Sequence, residues 1–177
     1  MLNVMYRMLL AINATLWMVV VYGIKEGWRF IYGNCIMTSV ILLVVPIILS
    51  VVSLYLTRWF CLCKDDLIKV KSIQMADSEF LPVYLGYFFV ALSIPNLYTL
   101  IFIYFIVCLF SYISQTQYYN PIFLLMGFHY YHVETLNGTQ IFIVAYGKVL
   151  RSVKETSFHS LRRINDTTFI ARKEKSK

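Results

Sequence analysis

Charge is scarce in this sequence and absent where the chain is most apolar. Only 14% of its 177 residues are Asp, Glu, Lys or Arg, while 59% are hydrophobic. Ordinary soluble domains carry about 25% charged residues. Residues 8–24, 36–56 and 80–113 contain no Asp, Glu, Lys, Arg or His at all. Proton relays, voltage sensors and ion-coupled carriers need ionisable groups at depth in the bilayer, so this absence argues against them and against an intramembrane enzyme. The signatures HExxH, GxSxG, the Walker loop and GxGxxG are missing as well. No nucleophile can be paired with a base, so no catalytic residue is expected and the chain does not read as an enzyme.

Cysteine is sparse too. Cys35, Cys61, Cys63 and Cys108 form no disulfide framework, and the Cys61–Cys63 pair lacks the second half of a tetrahedral site. His129 and His132 would share a face on a helix but point to opposite faces on a strand. The strand is the better reading there. No third ligand is evident, since His159 is distant and Glu134 is the sole nearby candidate. No metal and no cofactor are therefore expected.

What the sequence does have is apolar runs of bilayer length. Residues 8–24 lie between Arg7 and Lys25 with no small-x-small cleavage pattern after them, which marks a retained anchor rather than a signal peptide. Residues 36–56 carry Pro46 at mid-run, a kink tolerated if neighbouring helices or Ser50 and Ser53 satisfy the freed carbonyl. The run 80–113 is too long for one helix, and Ser93-Ile94-Pro95-Asn96 divides it into spans 80–95 and 97–113. Each is short for a full span, so a re-entrant hairpin stays open as an alternative. Pro46 and Pro95 are the candidate hinges.

These runs define an α-helical integral membrane protein with four transmembrane helices over residues 1–113. Of its 16 Lys and Arg, 14 fall on the side of the N-terminus, the loop 57–79 and the tail. The positive-inside rule puts that side, and so both termini, in the cytoplasm. The loop 57–79 alternates Leu67, Ile68, Val70, Ile73 and Met75 with Lys64, Lys69 and Lys71. It reads either as a short helix on the headgroups or as a polar loop docked on the tail.

Residues 114–177 form a small β-rich (α+β), basic cytoplasmic domain. Asn137-Gly138 is a strong hairpin signal between two segments rich in aromatic and β-branched residues. Residues 149–161 are ambiguous between strand and helix, and 164–170 read as a turn and a last strand. Three or four strands of about 55 residues are marginal alone and call for a partner surface. Arg151, Lys154, Arg162 and Arg163 make a candidate basic contact for lipid or an acidic partner. Asn13, Asn137 and Asn165 fit the glycosylation pattern but lie in a span or in the cytoplasmic domain, so they are set aside.

Two function classes follow from the residues: a signalling or scaffold protein, and an oligomeric pore-forming effector packed through Ser50, Ser53, Gly86 or Ser93. The layout of four spans and a tail, with NPIFLLMGFHYYHVET-NG-TQIFIVAYGK followed by LRRINDTTFI, resembles the KwaA family, the membrane subunits of the bacterial Kiwa anti-phage defence system. That resemblance implies an inner-membrane sensor that assembles as a homo-oligomer. It further implies recruitment of a cytoplasmic DNA-binding effector of the KwaB kind through the C-terminal domain, with no direct contact of its own to nucleic acid. It carries over no active-site residues.

Overall fold

Long uncharged runs without internal punctuation can satisfy their backbone only within themselves, and they become helices. The computed structural model describes residues 2–29, 34–60, 64–67, 70–113, 119–147 and 158–171. Helices α1 (Leu2–Lys25), α2 (Cys35–Phe60), α3 (Phe80–Ser93) and α4 (Leu97–Ile113) cover the four expected runs. Asn34 caps α2 by accepting from the Ile36 N–H at 3.0 Å, and Asn96 caps α4 by accepting from the Thr99 N–H at 2.9 Å. Pro95 sits in the break between α3 and α4, where a proline disfavours helical backbone in the residue before it.

Two of the four helices have the length and apolarity to cross a membrane, over Val4–Lys25 (22 residues) and Cys35–Thr57 (23 residues). Helices α3 and α4 have 14 and 17 residues. These correspond to about 21 and 26 Å of rise, short of the ~30 Å hydrocarbon layer. Along α2 the row Ile36, Val40, Val44 and Ile48 is exposed, at i, i+4 spacing. An apolar stripe of that kind, turned outward, is what a lipid-facing helix presents.

The chain divides into two units. The first holds Met8–Leu54 with Phe80–Asn120. Its core packs Met18 and Tyr22 of α1 against Ala91, Ile94 and Leu100. Lys25, the last residue of α1, donates to the Ile94 carbonyl at 2.6 Å.

The second unit joins Met1–Arg7, Tyr55–Glu79 and Pro121–Lys177. The 57–79 segment groups with the tail, as a docked loop would, but as strands rather than as a loop or a headgroup helix. It supplies strands β1 (Lys64–Leu67) and β2 (Val70–Met75). The tail supplies a short helix α5 (Pro121–Leu125) and strands β3 (Phe128–Thr135), β4 (Gln140–Tyr146), β5 (Phe158–Arg163) and β6 (Thr168–Ala171). The β3–β4 hairpin turns at Asn137-Gly138, with Gly138 at φ 78°. The ambiguous 149–161 segment is a strand from residue 158, and its earlier part lies outside the described residues.

The strand order is β1-β5-β6-β4-β3-β2, all antiparallel except β4 with β6. The two outermost strands, β1 and β2, are consecutive in the chain. Leu67 and Val70 are three peptide units apart, at most about 11 Å. Five strand spacings in a flat sheet would separate them by about 24 Å. The sheet therefore curls so that its two edge strands approach each other, and β1 and β2 count together as the first strand of the circuit. The circuit then runs β1/β2, β3, β4, β6, β5 and back, with one parallel pair. That is the connectivity of an OB-type barrel, a five-stranded Greek key. The α3–α4 hairpin and α5 are inserted between its first and second strands. Tyr131, Val133, Ile141, Ile143, Leu161 and Phe169 form its interior.

Candidate functional site

In an apolar bundle with no charged side chain at depth, the groups able to specify one packing are the buried amides and hydroxyls. Asn13, Ser50 and Asn120 are 1%, 0% and 3% exposed, and they meet in the helical unit. Asn13 Nδ2 donates to Ser50 Oγ at 3.1 Å, and Asn120 Nδ2 donates to the same oxygen at 2.8 Å. Ser50 Oγ in turn donates to the Pro46 carbonyl at 2.6 Å. One proton given and two lone pairs filled use the hydroxyl's full capacity. The carbonyl that Pro46 deprives of its donor is that of Leu42, so Ser50 serves a different acceptor from the one expected. Ser53 Oγ donates to Ser50 O at 2.7 Å.

A second cluster lies in the barrel unit, where the ends of α1 and α2 enter it. Tyr6 OH and Thr57 Oγ1 share a buried hydrogen bond of 2.7 Å. Arg162 Nη1 on β5 donates to the Thr57 carbonyl at 2.9 Å. Thr57 is within the last four residues of α2, whose carbonyls have no acceptor role inside the helix. A cation there also suits the negative end of the helix. Arg162 pairs with Ile170 in the β5–β6 ladder. It therefore shares the barrel's outward face with Val144 and Tyr130, both buried. OB barrels offer the outward face of their second and third strands to ligands. Here that face carries Tyr130 stacked on Phe142 (5.7 Å) and Phe123 of α5 against Phe128 (5.9 Å).

Of the four expected basic contacts, only Arg162 and Arg163 are among the described residues. Arg151 and Lys154 lie outside the described residues. Arg163 is next to Arg162 but on the opposite face of the strand, exposed, and paired with Asp166 at 2.6 Å. Of the two hinge candidates, Pro46 is buried inside α2 and Pro95 is exposed in the α3–α4 break.

The histidines lie on a strand, as expected, and each meets a carboxylate from the turn before α3. His129 Nδ1 lies 2.6 Å from Asp77 Oδ2, and His132 Nε2 lies 3.0 Å from Glu79 Oε2. Asp77 Oδ1 also accepts from the Tyr130 N–H at 2.6 Å, which ties that turn to β3. Glu134 accepts from Lys71 at 2.6 Å and from Ser72 at 3.2 Å. The Lys71 hydrogen bond, only partly opposed by lost hydration, holds the Glu134 carboxyl below its usual range.

Sequence reasoning missed Asn13, Asn120, Tyr6 and Thr57. The one local signal was Asn120 ahead of Pro121, a helix-start pair. The remaining partners lie far apart in the chain, so no local pattern announces them. A family model described as "Anti-phage protein KwaA" matches residues 6–170. No curated protein and no solved structure matches the chain.

Proposed function

Because the chain belongs to the KwaA family of anti-phage proteins, we propose that it is a four-pass inner-membrane sensor and scaffold that recruits and regulates a cytoplasmic effector through its barrel. The observation that carries this reading is the Tyr6–Thr57–Arg162 junction. It ties α1 to the end of α2 through Tyr6 and Thr57, and the end of α2 to β5 through Arg162, so a change in how α1 and α2 pack alters what holds β5.

Several features support the reading. Residues 8–24, 36–56 and 80–113 carry no Asp, Glu, Lys, Arg or His, which suits a part that moves rather than one that reacts. The α3–α4 hairpin inserts in the barrel's first connection, so barrel and hairpin share their chain ends. With four spans the basic residues gather on the barrel's side, and both termini are cytoplasmic. The effector is of the KwaB class, and the docking surface lies on the barrel or in its undescribed basic segment.

The test is native mass spectrometry of the tagged protein extracted in mild detergent from its host. A homo-oligomer carrying one soluble partner is the expected result. An oligomer without any partner that also leaks ions from liposomes would replace the scaffold by a pore.

A further inference from the structure

We propose that α5 is an interfacial element whose Leu125 and Met126 enter the headgroup–acyl boundary of the bilayer and seat the barrel on it. The proposal rests on the membrane-spanning reading of α2. Depth comes from a single hydrogen bond. Asn120 Nδ2 reaches Ser50 Oγ at 2.8 Å, which puts Asn120 at the level of Ser50. Ser50 precedes Thr57, the end of the apolar window of α2, by seven positions or about 10 Å of helix. The next residue, Pro121, starts α5, and the five residues of that helix rise only about 7.5 Å. Leu125 therefore cannot lie far from the outer part of the hydrocarbon layer, the depth at which interfacial helices sit, about 5–10 Å in.

The side chains agree with that depth. Ile122 and Phe123 are buried, Phe123 against Phe128, whereas Leu125 is 83% exposed and Met126 is 38% exposed. One side of the short helix thus grips the barrel, and Leu125 with the Met126 that follows it forms an apolar side left open among the described residues. No Asp, Glu, Lys, Arg or His occurs between Phe80 and Phe128, so nothing charged would have to be dehydrated. The charged residues resume at His129 and beyond, on the barrel. Leu136 offers a contrast: it is 63% exposed beside the Asn137-Gly138 turn, among polar neighbours, and belongs in water.

Site-directed spin labelling tests this on the full chain in liposomes, with Cys35, Cys61, Cys63 and Cys108 replaced by Ser. Labels at Leu125→Cys and Met126→Cys, two variants in case one fails to fold, are compared with Leu136→Cys and with Ile48→Cys on the exposed row of α2. The expected result is an oxygen-to-nickel accessibility ratio at 125 and 126 several-fold above that at 136. Equal ratios at 125, 126 and 136 overturn the proposal, as does protection of 125 and 126 from both reagents, the sign of a covering second copy. An aqueous label at 48 would instead sink the membrane-spanning reading of α2.

Discussion

Asn120 donates its side-chain amide to the hydroxyl of Ser50, seventy positions earlier in the chain, over 2.8 Å in a fully buried setting. The same oxygen receives Asn13 from α1. One hydroxyl therefore sets the register of α1, α2 and the strand of chain that leaves the bundle for the barrel. Ser50→Ala strands two buried amide donors. We predict a loss of about 1–3 kcal/mol, toward the lower end if the denatured chain in detergent finds other partners. Converting all three residues to apolar ones (Asn13→Leu, Ser50→Ala, Asn120→Leu) should cost less than the sum of the single changes, because no group is left orphaned. Thermal unfolding in detergent reads both.

Arg162 and Arg163 are adjacent, and they should behave differently. Arg162→Met removes the donor that closes the end of α2 and should cost about 1–2 kcal/mol, with Arg162→Lys recovering part of it. Arg163→Gln breaks an exposed pair with Asp166 and should cost about 0–1 kcal/mol. The pair of midpoints from one thermal scan decides the matter; equal losses would mean that the Thr57 contact contributes nothing of its own.

Gly23 on α1 has no room for a methyl group. A Cβ there would lie 2.8 Å from Leu42 Cδ1 and 2.9 Å from Trp28 Cε3. Leu42 can turn its methyl away, but the Trp28 ring is set edge-on to Tyr22 at 5.8 Å. Gly23→Ala gains about 1 kcal/mol of helix propensity and loses about 1–3 kcal/mol to overpacking. A net fall in the unfolding midpoint is the expected outcome, and a rise would show that the bundle opens at this point without cost.

How far the sequence reveals this molecule depends on how local each feature is. Most of the helices at 2–25 and 35–60 is legible because the uncharged runs 8–24 and 36–56 dictate them, and the β3–β4 hairpin because Asn137-Gly138 is a strong hairpin signal. Strands β1 and β2 were hidden. Their alternation of Leu67, Val70 and Ile73 with lysines fits a surface helix nearly as well as a strand, and their partners lie beyond an apolar hairpin, at residues 128–135 and 158–163. A barrel that closes over such a separation has no local signature. Asn13 was concealed in another way: Asn13-Ala14-Thr15 matches a glycosylation pattern, and its real partners stand 37 positions away and, through Ser50, further still.

The lowered pKa of Glu134 gives a pH dependence with a definite sign. A carboxylate held below its unfolded value stabilises the fold above the unfolded pKa, near 4.3, and loses that contribution as pH falls through the lower folded value. Between pH 5 and pH 3 the wild type should lose thermal stability more steeply than Lys71→Met, which lacks the hydrogen bond that is the largest cause of the shift. Midpoints measured across that range should converge at the acid end; parallel curves would mean that the Lys71–Glu134 contact does not persist in solution.

Pro46 separates stability from signalling. It is buried in α2, and its own carbonyl accepts the Ser50 hydroxyl at 2.6 Å. Lacking an N–H, it breaks the helical bond to Leu42 O and leaves a joint one turn before the Asn13–Ser50–Asn120 cluster. Pro46→Ala restores that bond and should raise the unfolding midpoint, by about 1 kcal/mol or more in free energy. If the joint is where α2 changes its packing, the same variant should fail to protect cells from phage while its oligomer and partner persist in native mass spectrometry. Stabilisation with intact assembly and lost protection would identify Pro46 as the flexure through which the bundle acts on the barrel. Full protection by the stiffened helix would move that role to the α3–α4 break at Pro95.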